Sequence, residues 1–575
     1  MACASGILIT YSGYPYTPSS MMPDNGLANL AGALIKNGHK VLILDYCTAD
    51  IVKRLMPQDI KDDLTKLLPL LKNSKDHKLI DELKAISAGI EAHREKEVHK
   101  IYKEIEEHII RKKVNFIGFK LWMGDGFSDS IMIAELIKRN HPGIKIYGGG
   151  PQSQMYKETI YGKTHVFDAL CYGEGEEIIS LLADHSINQA DLKDIPNIIY
   201  FENDKIITNP LKRIEELDNI AYPVYDADVY PACDSNDKIK IFSLDASRGC
   251  PNNCAFCVHS SISGHKIRNK SVDRVFNEIK FIKQKYNSKA FRFSGSYTPA
   301  NILTDLSALL IKEKVEIIYT AFSTLQDMND QNIPILKSAG LSALYVGIES
   351  ADERILKDDF EKKFNPEKAK PIIKDLIDAG IFMIASFIYP APSENAESTN
   401  KSLNYILELF SDPQKTSVTI HHPGVLPLGK WAENPKKYGF EINNFEEYKN
   451  IGMTYNIKQY LPHYLWEKLP FKVYGKDHSE LLLESGKFMK EIESRGVLTM
   501  LLDEAVLMAH LNNQRPMDFK NLMKNIFFTG DYESLHNSII EINKNLSAKL
   551  KAAEERPRDR SDMKSGGGSR GAARL

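Results

Sequence analysis

The stretch Arg248-Gly249-Cys250-Pro251-Asn252-Asn253-Cys254-Ala255-Phe256-Cys257 decides how the rest of the chain is read. Its cysteines are spaced by three and then two residues. One tight loop can therefore wrap three corners of a cubane iron–sulfur cluster and leave the fourth iron without a cysteine. That open iron is a place for a substrate or cofactor to bind. A structural zinc site is the competing reading, and it normally closes with a fourth Cys or His at matching spacing. No second cysteine pair follows, and His259, two residues past Cys257, is the nearby residue that could complete such a site.

Outward from this loop the chain alternates strand and helix. The apolar run 241–245 leads into the loop, a helical pattern follows over 273–286, and strand runs recur at 290–293, 316–319, 343–346, 382–385 and 417–420. Six such repeats predict a partial (β/α)6 barrel over 238–430, with its site at the carboxyl ends of the strands. After Pro427 the periodicity becomes helical, so residues 431–550 are expected to form a mostly helical domain that caps the barrel. The tail 551–575, with its Gly566-Gly-Gly-Ser569 run, has a disordered composition.

Toward the N-terminus, residues 1–205 read as a Rossmann-like, doubly wound parallel sheet. Apolar runs at 6–10, 40–45, 114–119, 144–147 and 168–171 are separated by helical patterns. Ligands of such sheets bind at the carboxyl ends of the strands. Two glycine turns stand there: Gly148-Gly149-Gly150-Pro151 and Gly173-Glu174-Gly175-Glu176. Glycines allow positive φ and close approach of backbone to a bulky ligand, although plain tight turns between strand and helix would read the same way. Neither turn has dinucleotide-fingerprint spacing. A Lys-, Glu- and Leu-rich, mostly helical insertion, 52–113, stands between the second and third strands and is far longer than a usual crossover; a solvated helical hairpin is the expected form, with a cap on the ligand pocket or a partner-binding element as alternatives, and 206–237 is a linker.

Composition narrows the partners. The chain has 575 residues, enough for about three cores. Its 74 basic and 76 acidic residues leave a net charge of −2, which gives no reason for nucleic acid or an anionic membrane as the main partner and favours a small-molecule substrate. Seven cysteines, three of them in the loop, are no disulfide framework and suit a reducing compartment. The sequence has no apolar window long enough to span a bilayer and no leader-like start, so a cytoplasmic location is expected.

The Cys-x3-Cys-x2-Cys run with an aromatic residue before the last cysteine resembles the signature of the radical S-adenosylmethionine enzymes. The order strand, Gly-Gly-Gly-Pro, strand, Gly-Glu-Gly-Glu, followed by Leu217-Asp-Asn-Ile-Ala-Tyr-Pro223-Val-Tyr225, resembles the cobalamin-binding subfamily of those enzymes. The resemblance implies a [4Fe-4S] cluster on Cys250, Cys254 and Cys257. It implies S-adenosylmethionine held by Phe256, Ser294, Gly295, Glu349 and Ser386, with Ser296 as a further candidate, while Arg268 and Lys362 or Lys363 are candidates to contact a carboxylate or the substrate. Cobalamin would lie against Tyr14, Leu121, Trp122, Met123, Gly149, Gly150, Pro151, Gln152, Gly173, Glu174 and Gly175. There is no Asp-x-His-x-x-Gly run, so cobalt is expected to lack a protein histidine, with the loop 120–126 facing it.

By the same resemblance, the implied activity is methylation of an unactivated carbon or phosphorus of a small molecule. One S-adenosylmethionine supplies the methyl group through cobalamin and a second yields the 5′-deoxyadenosyl radical. An external electron donor of flavodoxin or ferredoxin type is implied. The rival readings are a radical cyclase or ring-rearranging enzyme with cobalamin as electron carrier and, from another class, a non-catalytic iron–sulfur redox sensor. A methylthiotransferase would require three further cluster cysteines in the N-terminal domain.

Overall fold

The computed structural model describes residues 3–67, 70, 77–295, 297–326, 328–458 and 466–554. Ser296 and the tail from 555 lie outside the described residues. The first sheet is built from β1 (Ser5–Thr10), β2 (Lys40–Asp45), β3 (Phe116–Lys120), β4 (Lys145–Gly149) and β5 (Ala169–Cys171), parallel in the order β2-β1-β3-β4-β5. Helices cover both faces, which is why the strands are near-continuous apolar runs: Ile7, Leu8 and Ile9 are all buried. Leu8 pairs with Ile43 on one side and Gly118 on the other. The chain order reverses at β1 and β3, so the ligand crevice of this topology lies at their carboxyl ends.

Two further strands, β6 (Ile198–Glu202) and β7 (Lys205–Thr208), extend the sheet as an antiparallel hairpin beyond β5. The parallel-sheet expectation did not include them. Their turn, Asn203-Asp204, has both residues at positive φ, the backbone a two-residue hairpin loop demands.

The insertion is helical as expected, with Ala49–Leu55, Gln58–Leu67 and the 36-residue helix His77–Lys112. It is not a free-standing hairpin. Val98, Ile101, Tyr102 and Ile105 are buried in the core beneath β1 and β3, so the long helix is the β2-to-β3 crossover. Earlier in the insertion, Met56, Leu64 and Ile90 form a small core with Phe528 of the C-terminal region.

The second sheet contains β8 (Phe242–Leu244), β11 (Ala290–Phe293), β12 (Ile318–Phe322), β13 (Leu341–Glu349), β14 (Phe382–Ile388) and β15 (Thr416–His421), all parallel and in chain order. These are the six strands of the partial barrel. Between β8 and β11 a short antiparallel ladder joins β9 (Ser247–Arg248) to β10 (Arg268–Asn269) and brackets the cysteine loop.

The C-terminal region divides its work between the two ends of the barrel. Trp431, Tyr438, Phe440, Phe471 and Leu481 pack around Ala255 and Phe360, beside the cysteine loop. Farther on, the Leu498 carbonyl accepts from Val418 N–H and Met500 N–H donates to the Val418 carbonyl, both at 2.9 Å, so this segment covers the open edge of β15. The helices Asp503–Leu511, Pro516–Thr529 and Tyr532–Glu554 follow. Leu501, Met508 and Phe519 share a core with Ala290, Ala343 and Phe382, near the amino ends of their strands. Trp431, Tyr438, Phe440, Phe471 and Leu481 thus lie on the cysteine-loop side, and the later helices pack at the opposite end.

Candidate functional site

The cysteine loop is fixed at its base by backbone chemistry. Gly249 has φ +96, and a Cβ there would stand 2.2 Å from the Lys266 carbonyl oxygen, so glycine is required. Cys250 N–H donates to Gly264 O at 3.0 Å and Cys257 N–H to Cys254 O at 3.2 Å. Ala255 is fully buried; its N–H donates to Phe360 O and its carbonyl accepts from Trp431 N–H. This pins the middle of the loop and leaves Cys250, Cys254 and Cys257 partly exposed and free of disulfides. Phe256 meets the Phe360 ring edge-to-face at 5.5 Å.

Burial pushes the Cys254 thiol up to about 11, opposed by the Lys362 charge. It raises that of Cys257 as well, against a hydrogen bond from His259 N–H to Cys257 Sγ at 3.4 Å. Thiolate ligation to a cation removes these protons. Among the described residues no three His, Cys, Asp or Glu side chains stand in a metal-ligating arrangement. The fit of the loop to a cluster therefore rests on its donor chemistry: three accessible thiols on one short, pinned loop.

Glu349 ends β13 at a register shift against β14, with φ +69. Holding a non-glycine residue there costs on the order of 1–3 kcal/mol, a strain associated with functional positions. Its carboxylate is nearly buried, receiving Lys362 Nζ at 2.9 Å and the Ser386 hydroxyl at 3.4 Å. Lys362 also donates to Gly347 O at 2.8 Å. Glu349 and Lys362 both act electrostatically on Cys254 and Cys257. Of the two candidate lysines, Lys362 is thus the one bonded to Glu349. Ser294 and Gly295 follow β11, where Ser294 N–H donates to Leu244 O at 2.9 Å and Gly295 lies against the Ser247 carbonyl.

At the carboxyl edge of the first sheet, Gly150 has φ +88, and an added Cβ would meet Lys120 and Leu121. Gln152 is buried, donates Nε2–H to Met453 O at 2.8 Å, and leaves its Oε1 without a partner. A glycine cradle beside an orphaned buried acceptor fits a bulky polar ligand. In the next loop Leu121 is buried, and Trp122 donates Nε1–H to Thr10 Oγ1 at 2.8 Å beneath Lys120 Nζ, which stands 4.4 Å from the ring centre. Met123 is 54% exposed. Tyr14 donates its hydroxyl to Phe527 O at 2.8 Å, tying the loop after β1 to the C-terminal helices.

The second glycine turn is engaged differently. Gly173 has φ +79 and lies against Leu211 of the linker, while Gly175 approaches Leu30. Both oxygens of Glu174 are taken by Arg268, at 2.8 and 2.9 Å. The carboxylate expected at cobalamin, and the arginine expected at substrate, are bonded to each other.

One cluster was missed from sequence. Arg292 of β11 reaches both Asp503 oxygens at 2.9 and 3.0 Å and Glu504 at 2.9 Å, while Thr320 donates to Asp503 at 2.6 Å and Ser19 donates to Glu504. Burial and the Asp503 charge push Glu504 up to about 8, whereas Arg292 holds Asp503 down against burial. An arginine between Phe291 and Phe293 in a barrel strand was the available signal. Asp503-Glu504 looked like an ordinary acidic helix start.

Compared with known families, residues 245–406 match the Radical SAM superfamily and residues 82–183 match the B12 binding domain. An uncharacterised methyltransferase of Pyrococcus horikoshii is 29% identical over 302 residues, 52% of this chain and 65% of that protein. A putative methylthiotransferase of Methanocaldococcus jannaschii is 25% identical, covering 64% of this chain and 81% of the relative. The fold is shared with the radical S-adenosylmethionine methyltransferase TsrM from Kitasatospora setae, solved with cobalamin and a [4Fe-4S] cluster. The TM-score is 0.62 at 12% identity, over 94% of this chain and all of that one. The chain thus joins a region that matches the B12 binding domain to a following region that matches the Radical SAM superfamily and carries the cysteine loop beside its six-stranded sheet.

Proposed function

We propose that the protein is a cobalamin-dependent radical S-adenosylmethionine methyltransferase acting on an unactivated carbon or phosphorus of a small molecule. The observation that carries this reading is the direct bonding of the turn 173–176, within the region that matches the B12 binding domain, to the strands that bracket the cysteine loop. When bound, a [4Fe-4S] cluster supplies the electron that cleaves S-adenosylmethionine, and cobalamin supplies a methyl carrier.

The chain's residues provide the rest. Cys250, Cys254 and Cys257 hold the cluster, Phe256 packs the loop, and Glu349 with Ser386 accepts or shares hydrogen bonds from the polar groups of S-adenosylmethionine, aided by the backbone at Ser294 and Gly295. Gly149, Gly150, Pro151 and Gln152 form one wall of the cobalamin site, Tyr14, Leu121, Trp122 and Met123 another, and Gly173 and Gly175 its margin. Trp431, Tyr438, Phe440, Phe471 and Leu481 exclude water from the cluster side. Reducing equivalents come from a flavodoxin- or ferredoxin-type donor. A second cluster, as in methylthiotransferase chemistry, is disfavoured because Cys3, Cys47, Cys171 and Cys233 are scattered without ligand spacing and, of these, Cys47 and Cys233 are buried.

The test is anaerobic reduction of the reconstituted enzyme with S-adenosylmethionine and analysis of the nucleoside products. A methyltransferase forms both 5′-deoxyadenosine and S-adenosylhomocysteine. An enzyme using cobalamin only for electron transfer forms the first alone. Cys254→Ala is expected to abolish 5′-deoxyadenosine, and wild-type amounts from that variant would overturn the site assignment.

A further inference from the structure

The turn 173–176 grips the base of the cysteine loop through two arginines. Arg248 and Arg268 face each other in the β9–β10 ladder, and the entire loop 249–267 lies between them. The Arg268 side chain is 3% exposed and bidentate on Glu174; it also donates to Ser263 O at 2.9 Å inside the loop. Arg248 meets Glu176 at 2.5 Å, Asp245 at 2.7 Å and Glu174 at 3.6 Å. Glu174 Oε2 further accepts Ile214 N–H at 2.6 Å, binding the linker into the same knot. Planar, bidentate Arg–carboxylate pairs fix geometry as well as charge, and breaking one while its partner stays buried is strongly unfavourable.

We propose that Glu174 and Glu176 are positioning residues for the iron–sulfur loop. Through Arg248 and Arg268 the B12 domain holds in register the two strands that bracket Cys250, Cys254 and Cys257, so the cluster site is complete only while that domain is docked. This rests on reading the three cysteines as cluster ligands. It assigns the Gly-Glu-Gly-Glu carboxylates to the domain interface.

The test uses the full chain, reconstituted anaerobically with iron and sulfide, as wild type and as Glu174→Gln, Glu176→Gln and Asp45→Asn. The last variant breaks another buried pair between the same two regions, Asp45 with Lys238 at 2.6 Å, which involves neither the loop nor its two arginines. Iron release to a ferrous chelator should be about tenfold faster or more in both glutamate variants, the size typical of lost outer-shell support. The cluster's midpoint potential should rise, because an unbalanced guanidinium favours the reduced, more negative state. Asp45→Asn should leave both readouts at wild type. Wild-type release and potential in the glutamate variants, or equal changes in Asp45→Asn, would overturn the proposal. If Glu174→Gln does not fold, Glu176→Gln carries the same test. A wild-type chain that takes up no iron would instead overturn the cluster reading itself.

Discussion

At the scale of single residues, charge placement gives the sharpest expectations. Glu349 is held at positive φ with its carboxylate set between Lys362 and Ser386. Glu349→Gln keeps the shape and removes the charge. Losing a charge-assisted hydrogen bond, worth about 1.5–3 kcal/mol, should weaken S-adenosylmethionine binding by roughly 10- to 100-fold in equilibrium dialysis. Unchanged affinity would remove Glu349 from the site.

Glu504 predicts a pH dependence of stability. Its folded-state value, pushed up to about 8 by burial and Asp503, lies above that of an unfolded glutamate. The folded chain therefore binds the extra proton, so this contribution is full below the unfolded value and is lost as pH rises through about 8. Chemical denaturation at pH 6 and pH 9 should show lower stability at the higher pH, and Glu504→Gln should flatten the difference. A steeper fall in the variant would contradict the assignment.

At the scale of elements, close backbone approach governs how the linker seats. The helix Asn25–Lys36 presents Gly32 to the linker, where an added Cβ would stand 2.1 Å from the Tyr222 carbonyl oxygen, and Val224 N–H donates to Ala28 O at 3.0 Å beside it. Alanine favours an exposed helix by about 1 kcal/mol over glycine. Overpacking against fixed backbone costs about 1–3 kcal/mol, so the clash should win and Gly32→Ala should destabilise. A stabilised variant in urea denaturation would mean that the linker moves away freely.

The sequence-level reading of elements succeeded where apolar runs were bounded by turns. The five parallel strands of the first sheet and the six of the second all appear near their expected positions, because strands covered on both faces leave an unambiguous hydrophobic signal. The β6–β7 hairpin was overlooked although Asn203-Asp204 carried its turn signature. The insertion's burial was not legible, since the stripe of Val98, Ile101 and Ile105 says only that something covers it, not that the sheet does.

At the scale of the whole molecule, distant segments meet in ways spacing cannot encode. The cysteine loop was legible because three cysteines fall within eight residues. Glu174 with Arg268 joins residues 94 apart, and Arg292 with Asp503 joins residues 211 apart; neither pairing leaves a local pattern. For the same reason the two halves of the C-terminal region read alike, as amphipathic helices, although one wraps the loop and the other closes the far end of the barrel. Among the described residues, no helix is long and apolar enough to cross a membrane.

The central claim is that one chain carries both cofactors across one interface. The most direct measurement is anaerobic reconstitution with iron, sulfide and hydroxocobalamin, followed by desalting and by iron, cobalt and ultraviolet–visible analysis of what remains bound. The account predicts about four irons and about one cobalamin per chain. Iron retained without cobalamin, or cobalamin without iron, would contradict it.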